Sequence, residues 1–208
     1  YNAENIKGYN FDPEMAREYM SKAGYPNGQG FPGVTLQLNS GGGRNAQVAE
    51  AIQNMINETL NISVELHTIP WAQHTENVEQ AKADFWRLGW VADYPDPENF
   101  LNLFWGKWVP ESIATKTYIN SFRYKNTDFD DAFVSGKQAT EEAEKNRFYQ
   151  VADQKAIDDA VVLPIYYDKD YRLLQPNVRN FPMNAMEQRT FADVYFVPDE
   201  QQLLTDAQ

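Results

Sequence analysis

The chain has 208 residues, 42% apolar and 14% aromatic, which is enough to bury the core of one domain, and it carries a net charge of −12 from 18 Lys and Arg against 30 Asp and Glu. That charge argues against binding to nucleic acid or to anionic membrane surfaces, and the absence of cysteine excludes thiol catalysis, thiolate metal sites and disulfides. No apolar run approaches the ~20 residues of a membrane span, and because Tyr1 begins neither a signal peptide nor a chain with an initiator Met, we interpret the sequence as an excised fragment.

The first half of the chain alternates helix-forming and strand-forming segments. Asp12-Pro13-Glu14 is typical of a helix start, and Gly24 of a helix end. The predicted elements are a helix from Asp12 to Gly24, a strand from Val34 to Leu38, a helix from Arg44 to about Leu60, a strand around Ile62, Val64 and Leu66, a helix from Trp71 to about Ala81, and a strand from Phe85 to Val91. This order predicts an α/β fold with an open, mostly parallel sheet and helices packed on it.

The second half is less regular. From Asp93 to about Asn126 the sequence is rich in Pro, Asn and aromatic residues, which predicts a long ordered loop with helical turns around 99–105. The remaining predictions are helices from Asp128 to Lys137 and from Glu141 to Asp159, a β-rich run from Val161 to Tyr167, a short strand from Val194 to Val197, and a frayed tail over 199–208. Pro164 implies an edge or bulged position for the β-rich run.

The glycine-rich connection Ser40–Gly43 lies between a strand and a helix, where backbone N–H groups can cradle an anion. A phosphate-binding loop would end in Gly-Lys-Ser or Gly-Lys-Thr, and Arg44-Asn45-Ala46 stands there instead. The two interpretations are a plain loop and a helix terminus at which Arg44 and Asn45 meet a ligand carboxylate.

Histidines and acidic pairs offer little chemistry. His67 and His74 are the only histidines, and their spacing does not present two metal ligands on one face, so we predict packing or surface roles. Asp93 and Asp96 are close enough for acid–base chemistry, yet without a nearby nucleophile Asp96 is more simply a turn former between Pro95 and Pro97. We therefore predict no enzymatic activity and no cofactor.

The most informative segment runs from Arg87 to Pro97, with the sequence RLGWVADYPDP. It resembles the family-5 solute-binding proteins, the oligopeptide and dipeptide binders of bacterial ABC importers. The resemblance extends to Ile69-Pro70-Trp71, Asp12-Pro13-Glu14, Ala23-Gly24-Tyr25-Pro26, Glu98-Asn99-Phe100-Leu101, Ala160 to Tyr166, and Asn180-Phe181-Pro182-Met183-Asn184. It implies that residues 1–208 are the single C-terminal ligand-binding lobe of a larger two-lobed protein, with the periplasmic-binding-protein (type II) fold.

The resemblance also implies roles for single residues in binding a peptide as an added strand. Asp93 matches the aspartate that pairs with the peptide amine, and Gly89 and Val91 match the strand that pairs with the peptide backbone. Trp71 and Trp90 match aromatic positions that line side-chain pockets, although a core position is the alternative for each. Because the partner surface belongs to the other lobe, we expect Asp93, Gly89 and Val91 at one open rim, with Asp93 accessible to solvent.

Two further positions concern the ligand carboxylate. Arg87 matches a position that faces this group in some members, and its planar guanidinium suits bidentate pairing. Asn45 stands where some members carry a histidine, a departure that leaves the preferred peptide length open.

The implied partners are a di- or oligopeptide, the N-terminal lobe of the same parent chain and the permease subunits of an ABC transporter, with no nucleic acid. The implied location is extracytoplasmic, in a periplasm or lipid-anchored at the outer face of the cell membrane. The alternatives are the same fold with another cargo, such as a nickel chelate, haem or an oligosaccharide, and the sensor domain of a transcriptional regulator. A hydrolase is the weakest alternative.

Overall fold

Strands and helices alternate through the first 86 residues of the computed structural model, which describes residues 1–169, 171–184, 186 and 188–198. The elements are α1 (Pro13–Lys22), β1 (Val34–Asn39), α2 (Gly43–Leu60), β2 (Val64–Ile69), α3 (Trp71–Glu79), β3 (Phe85–Trp86), α4 (Glu98–Leu101), α5 (Thr127–Gln138), α6 (Glu142–Asp158), β4 (Val178–Arg179) and β5 (Tyr195–Phe196). Short 3₁₀ turns lie at Ala3–Asn5, Pro26–Gly28, Asn102–Phe104 and Gly106–Trp108. The predicted helices are all present within a few residues of their expected bounds.

The main sheet is parallel, as predicted, with the strand order β2-β1-β3. β1 pairs with β2 from Val34↔Val64 to Asn39↔Ile69, and with β3 only at Leu36↔Phe85 and Gln37↔Trp86. Because all three strands run the same way, the segments that leave their carboxyl ends meet at one edge. The chain passes from β1 to β2 on one side of β1 and then crosses to β3 on the other side. The crevice between β1 and β3 is therefore a topological switch point, where open α/β sheets bind ligands.

Local capping explains where several helices begin and end. The Asp12 carboxylate accepts a hydrogen bond from the Met15 N–H (2.9 Å), and Asn126 accepts from Asp128 and Phe129 at the start of α5. α2 ends at Asn61, which has left-handed backbone geometry (φ 55°), and Ala81 takes the same geometry (φ 53°) just after α3.

Two hydrophobic cores lie in the described part of the chain. The first packs the sheet on α2 through Leu36, Leu38, Ala49 and Val64. The second joins α4, α5 and α6 through Leu101, Phe129, Ala132, Phe133, Tyr149, Ala152 and Ala156. Stacked rings run between them: Trp86 on β3 stacks on Phe122 (5.8 Å), Phe122 on Phe104 (5.0 Å), and Phe104 meets the edge of Phe129 (6.2 Å).

Gly136 sets the distance between α5 and α6. A Cβ added there would lie 2.4 Å from ring carbons of Tyr149, which is itself 2% exposed. The missing side chain therefore lets the two helices approach closely enough to bury Tyr149 between them.

Two predicted strands are corrected by the structure. The strand predicted from Phe85 to Val91 ends at Trp86. Its partner β1 ends at Asn39, so 88–91 have no neighbouring strand in the described chain. The β-rich run from Val161 to Tyr167 forms no strand for the same reason, and Leu163 is 64% exposed. A high β propensity needs a partner strand to become a sheet.

The chain after α6 packs little on the lobe. Val194–Val197 contains β5, as predicted, which pairs antiparallel with β4 as a two-stranded ribbon. Arg44 holds this segment at one point, because its guanidinium pairs with Asp168 (2.5 Å) and lies over the Tyr166 ring (5.6 Å). Arg44 is therefore engaged within the chain, through an exposed ion pair. The tail predicted over 199–208 lies outside the described residues.

Among the residues described, none of the helices combines the length and the apolar character that a membrane crossing requires.

Candidate functional site

The segments bearing the predicted site residues leave the carboxyl ends of the three parallel strands. Trp71 follows β2, Asn45 lies in the first turn of α2 after β1, and Arg87 to Asp93 follow β3. The fold thus brings to one edge of the sheet residues that lie up to 48 positions apart in sequence, Asn45 and Asp93 being the most distant.

Asp93 is exposed at this edge and enters none of the ion pairs formed by described residues. Its acidic neighbours differ: Asp96 pairs with Lys145 (2.7 Å) and Glu98 with Lys137 (2.5 Å). Asp96 also accepts from the Glu98 N–H (2.9 Å), which confirms it as the turn former. Of the three carboxylates, only that of Asp93 remains free to pair with a cation from outside the chain.

Asn99, the second residue of α4, holds Asp93 and Trp90 together. Its side-chain oxygen accepts from the Trp90 indole N–H (2.8 Å) and from the Asp93 backbone N–H (3.2 Å), while its amide group donates to the Asp93 carboxylate (3.2 Å). Asn99 is only 5% exposed, so these bonds are made away from water. The carboxylate is therefore oriented by a buried amide while it faces solvent.

A chain of buried polar side chains fixes the start of the same segment. Gln37 on β1 donates to His74 Nδ1 (3.0 Å) and accepts from Asn77 (2.8 Å), and His74 Nε2 lies 2.9 Å from the Arg87 carbonyl. Burial lowers the pKa of His74, so the ring is neutral and carries its proton on Nε2, which donates to Arg87. His74 thus has the packing role predicted for it.

Beyond Arg87 the backbone is open. The Arg87 N–H still donates to Gln37 (3.0 Å), whereas the N–H and C=O groups of 88–91 have no hydrogen-bond partner among the described residues. Gly89 is exposed and the Val91 side chain is 74% exposed. An exposed backbone with unpaired N–H and C=O groups of this kind can accept an added strand. The predicted exposure of Gly89, Val91 and Asp93 is confirmed, and their ligand-binding roles stay predictions.

Arg87 and Asn45 lie on the side of β1. The Arg87 guanidinium is 3.4 Å from the Asn39 side-chain oxygen and lies within van der Waals reach of the Gly89 position. The Asn45 amide lies against Gly42 and has no hydrogen-bond partner in the described chain. Both residues are half-buried, so each keeps part of its polar group available at the edge.

The two tryptophans differ in exposure. Trp71 is 54% exposed, so it is a surface residue whose ring lies 6.0 Å from that of His74, and the core alternative is excluded for it. Trp90 is half-buried, with its N–H bound to Asn99 and its ring 6.2 Å from that of Tyr118. Trp90 presents apolar surface within the open backbone segment, and Trp71 presents it next to His74, which is bound to the Arg87 carbonyl.

Other parts of the described chain offer less. Two open depressions, of about 490 and 410 Å³, lie on α5, α6 and the segment around Asn5, not at the carboxyl edge. No group of three or more His, Asp or Glu side chains in the described ranges is arranged to hold a metal ion.

Replacing Asn99 by Ala tests the clamp without any ligand. We expect the free energy of unfolding to fall by about 1–3 kcal/mol, because the Trp90 indole and the Asp93 N–H lose a buried acceptor. The Trp90 indole N–H signal in NMR should shift and exchange faster with solvent.

Asn102 provides the matched control, since it accepts from the Trp108 indole N–H (2.9 Å) on the next turn without touching Asp93. Asn102→Ala should change the Trp108 signal and leave that of Trp90 in place. An unchanged Trp90 signal in Asn99→Ala would contradict the clamp.

Sequence reasoning did not assign roles to Asn99 and Gln37. Asn99 follows a Pro-Glu pair at a helix start, where Asn is common for local reasons, and Gln37 lies in a β strand as a single polar residue between Leu36 and Leu38. A polar residue flanked by buried apolar ones is a weak signal of a buried hydrogen-bond network.

Comparisons with known proteins agree with this architecture. The family model for bacterial extracellular solute-binding proteins, family 5 (middle region), matches residues 1–111. The chain is 26% identical to the oligopeptide-binding protein OppA of Bacillus subtilis, over 93% of this chain and 35% of OppA. It is also 26% identical to the heme-binding protein A of Haemophilus influenzae, over 87% of this chain and 32% of that protein.

Among solved structures, the chain is similar to the periplasmic binding protein DppA of Helicobacter pylori in complex with the peptide STSA. The TM-score is 0.66 at 30% identity, covering 77% of this chain and 30% of DppA. The chain therefore spans about a third of the length of the relatives it matches.

Proposed function

The chain belongs to the family-5 bacterial extracellular solute-binding proteins, and from this premise we propose that it is one lobe of a two-lobed protein that binds di- or oligopeptides for an ABC importer. The peptide is captured as an added strand along 88–91, with its amino terminus at Asp93. The observation that carries the proposal is the free Asp93 carboxylate, fixed by Asn99 at the end of an unpaired backbone stretch.

Strand addition suits a binder of many peptide sequences. Main-chain hydrogen bonds give affinity without reading side chains, and Asp93 supplies a charge-assisted bond to the one cation that every unmodified peptide carries. Arg87 and Asn45 then lie along the same edge as groups for a ligand carboxylate, and Trp71 and Trp90 as apolar walls. None of these roles needs a nucleophile or a bound metal, so we propose binding without catalysis.

The exposed apolar residues that follow α6 support the proposal of a partner lobe from the same parent chain. Apolar side chains there face solvent to an unusual degree: Leu163 is 64% exposed, Tyr167 86%, Leu173 93% and Phe196 72%. Exposed apolar surface of this extent marks an interaction site. Because relatives are about three times as long, the remainder of the parent chain is the occupant that fits, and a hinge between the lobes would close around the peptide.

The proposed location follows from the family, whose members are extracellular. We propose that the full-length parent is periplasmic or is anchored by lipid at the outer face of the cell membrane, where it would meet the permease subunits.

Haem is the second candidate cargo, since one relative is named a heme-binding protein. The carboxyl edge favours a peptide, because its distinctive polar group is an unpaired carboxylate suited to an amine. His74, a common type of haem ligand, is fully buried with both ring nitrogens hydrogen-bonded.

Native mass spectrometry of the full-length protein purified from cells distinguishes the cargoes. We expect bound masses that fragment as short peptides. A bound species with the mass and absorption of haem, or a sugar, would overturn the proposal of a peptide cargo.

A further inference from the structure

We infer that Tyr118 is a specificity-determining residue that, with Trp90, forms an aromatic corner for an apolar side chain near the peptide's amino terminus. This inference rests on the proposed peptide binding. The observation behind it is that Tyr118, 63% exposed, lies with its ring 6.2 Å from that of Trp90 and inclined at 55°.

The backbone on both sides of Tyr118 is fixed. Thr117 is 8% exposed, its N–H donates to the Glu79 carbonyl (3.0 Å), and its hydroxyl donates to the Trp108 carbonyl (3.1 Å). Two positions later, Asn120 is fully buried and donates to the carbonyls of Trp105 (3.0 Å) and Tyr124 (2.9 Å). The exposed Tyr118 side chain thus projects from a backbone that is held on both sides.

Arg123 braces the same loop. Its guanidinium donates to the carbonyls of Glu79 (2.9 Å), Ser121 (3.2 Å) and Thr115 (3.2 Å), so it ties the end of α3 to both ends of the segment that carries Tyr118. Such bonds fix a loop whose sequence has no regular structure of its own.

The Trp90 ring is held by a hydrogen bond of its own. Its indole N–H is bound to the buried Asn99, the residue that also orients the Asp93 carboxylate. Trp90 and the Asp93 carboxylate are therefore held by one side chain, that of Asn99. Since an extended peptide advances ~3.3 Å per residue, a side chain in contact with Trp90 belongs to one of the first residues after the amine.

Two aromatic rings inclined to each other on a fixed backbone offer apolar area and favour an aromatic or branched apolar side chain. Strand pairing by itself tolerates many peptide sequences. The aromatic corner would add a preference for an aromatic or branched apolar residue near the peptide's amino terminus.

Calorimetry of the full-length protein with alanine tetrapeptides tests the inference. The peptides carry Phe at position 1, 2 or 3, or none, and the variants are Tyr118→Ala and Tyr19→Ala. Tyr19 is a matched control, because it is 58% exposed on α1, whose Arg17 contacts Thr59 at the far end of α2.

We expect Tyr118→Ala to weaken one of the peptides with Phe at position 1 or 2 about tenfold, a change typical of a lost aromatic contact, and to weaken the all-alanine peptide less than twofold. Tyr19→Ala should leave the affinity for all four peptides unchanged. Equal losses for all four peptides would show that Tyr118 contacts the partner lobe or supports the fold, and no loss would show that it is outside the site. If the wild-type protein bound none of the peptides, the proposed function itself would fail; unchanged binding in Tyr118→Ala would overturn only the aromatic corner.

Discussion

Replacing Asp93 by Asn in the full-length parent is expected to weaken peptides with a free amino terminus by roughly 10- to 150-fold, which is about 1.5–3 kcal/mol. The substitution keeps the size of the side chain and an oxygen that can accept from Asn99, so the clamp is preserved. Only the negative charge is lost. In the proposed closed cleft the ammonium group of the peptide would then be enclosed without a charged partner, and the cost of its desolvation would no longer be offset.

The measurement is calorimetry on pairs of peptides that differ only by N-acetylation. Acetylated peptides carry no ammonium group, so Asp93→Asn should change their affinity little. Asp84→Asn is the matched control for net charge, because Asp84 is exposed before the start of β3, at the opposite end of that strand. Equal losses for free and acetylated peptides would indicate that Asp93 acts on the structure of the rim.

The isolated 208-residue chain is expected to fold and yet to bind peptides only weakly, with a Kd in the millimolar range or above. A Kd of this size corresponds to a binding free energy of about −4 kcal/mol or smaller in magnitude. If the two-lobed protein binds at about micromolar Kd, this is a thousandfold loss. Folding is expected because the described chain buries two hydrophobic cores of its own.

Weak binding is expected because the carboxyl edge of the sheet is open to solvent in the isolated chain. One lobe leaves half of the peptide surface in water, where an exposed ion pair such as Asp93 with an amine contributes only ~0–1 kcal/mol. Hydrogen bonds to 88–91 compete with water, while the entropic cost of ordering the peptide is unchanged.

Titration of the isolated chain with di- to hexapeptides, followed by NMR or by tryptophan fluorescence, measures this affinity. The exposed Trp71 and the half-buried Trp90 are reporters at the edge itself. Micromolar binding would show that a second lobe is dispensable and that the closing-clamp mechanism is wrong.

Interactions within a few residues could be predicted from the sequence. The Asp12 cap, the helical periodicity of α2 and α6, and the alternation of strands with helices depend on neighbours along the chain, and they led to the parallel α/β lobe. The family resemblance added the candidate site residues, of which Asp93, Gly89 and Val91 are exposed as expected.

Contacts between distant segments were decided by the tertiary structure alone. Whether 87–91 and 161–167 become strands depends on a neighbouring strand, which β propensity cannot supply. In the described chain the pairing of β3 with β1 stops at Trp86, and neither run has a partner strand. The buried chain from Gln37 through His74 to Arg87 joins residues 50 positions apart, and Tyr118 reaches Trp90 from a loop 28 positions away. A polar or aromatic residue carries no mark of its distant partner, because that partner is set by how the sheet and the helices pack.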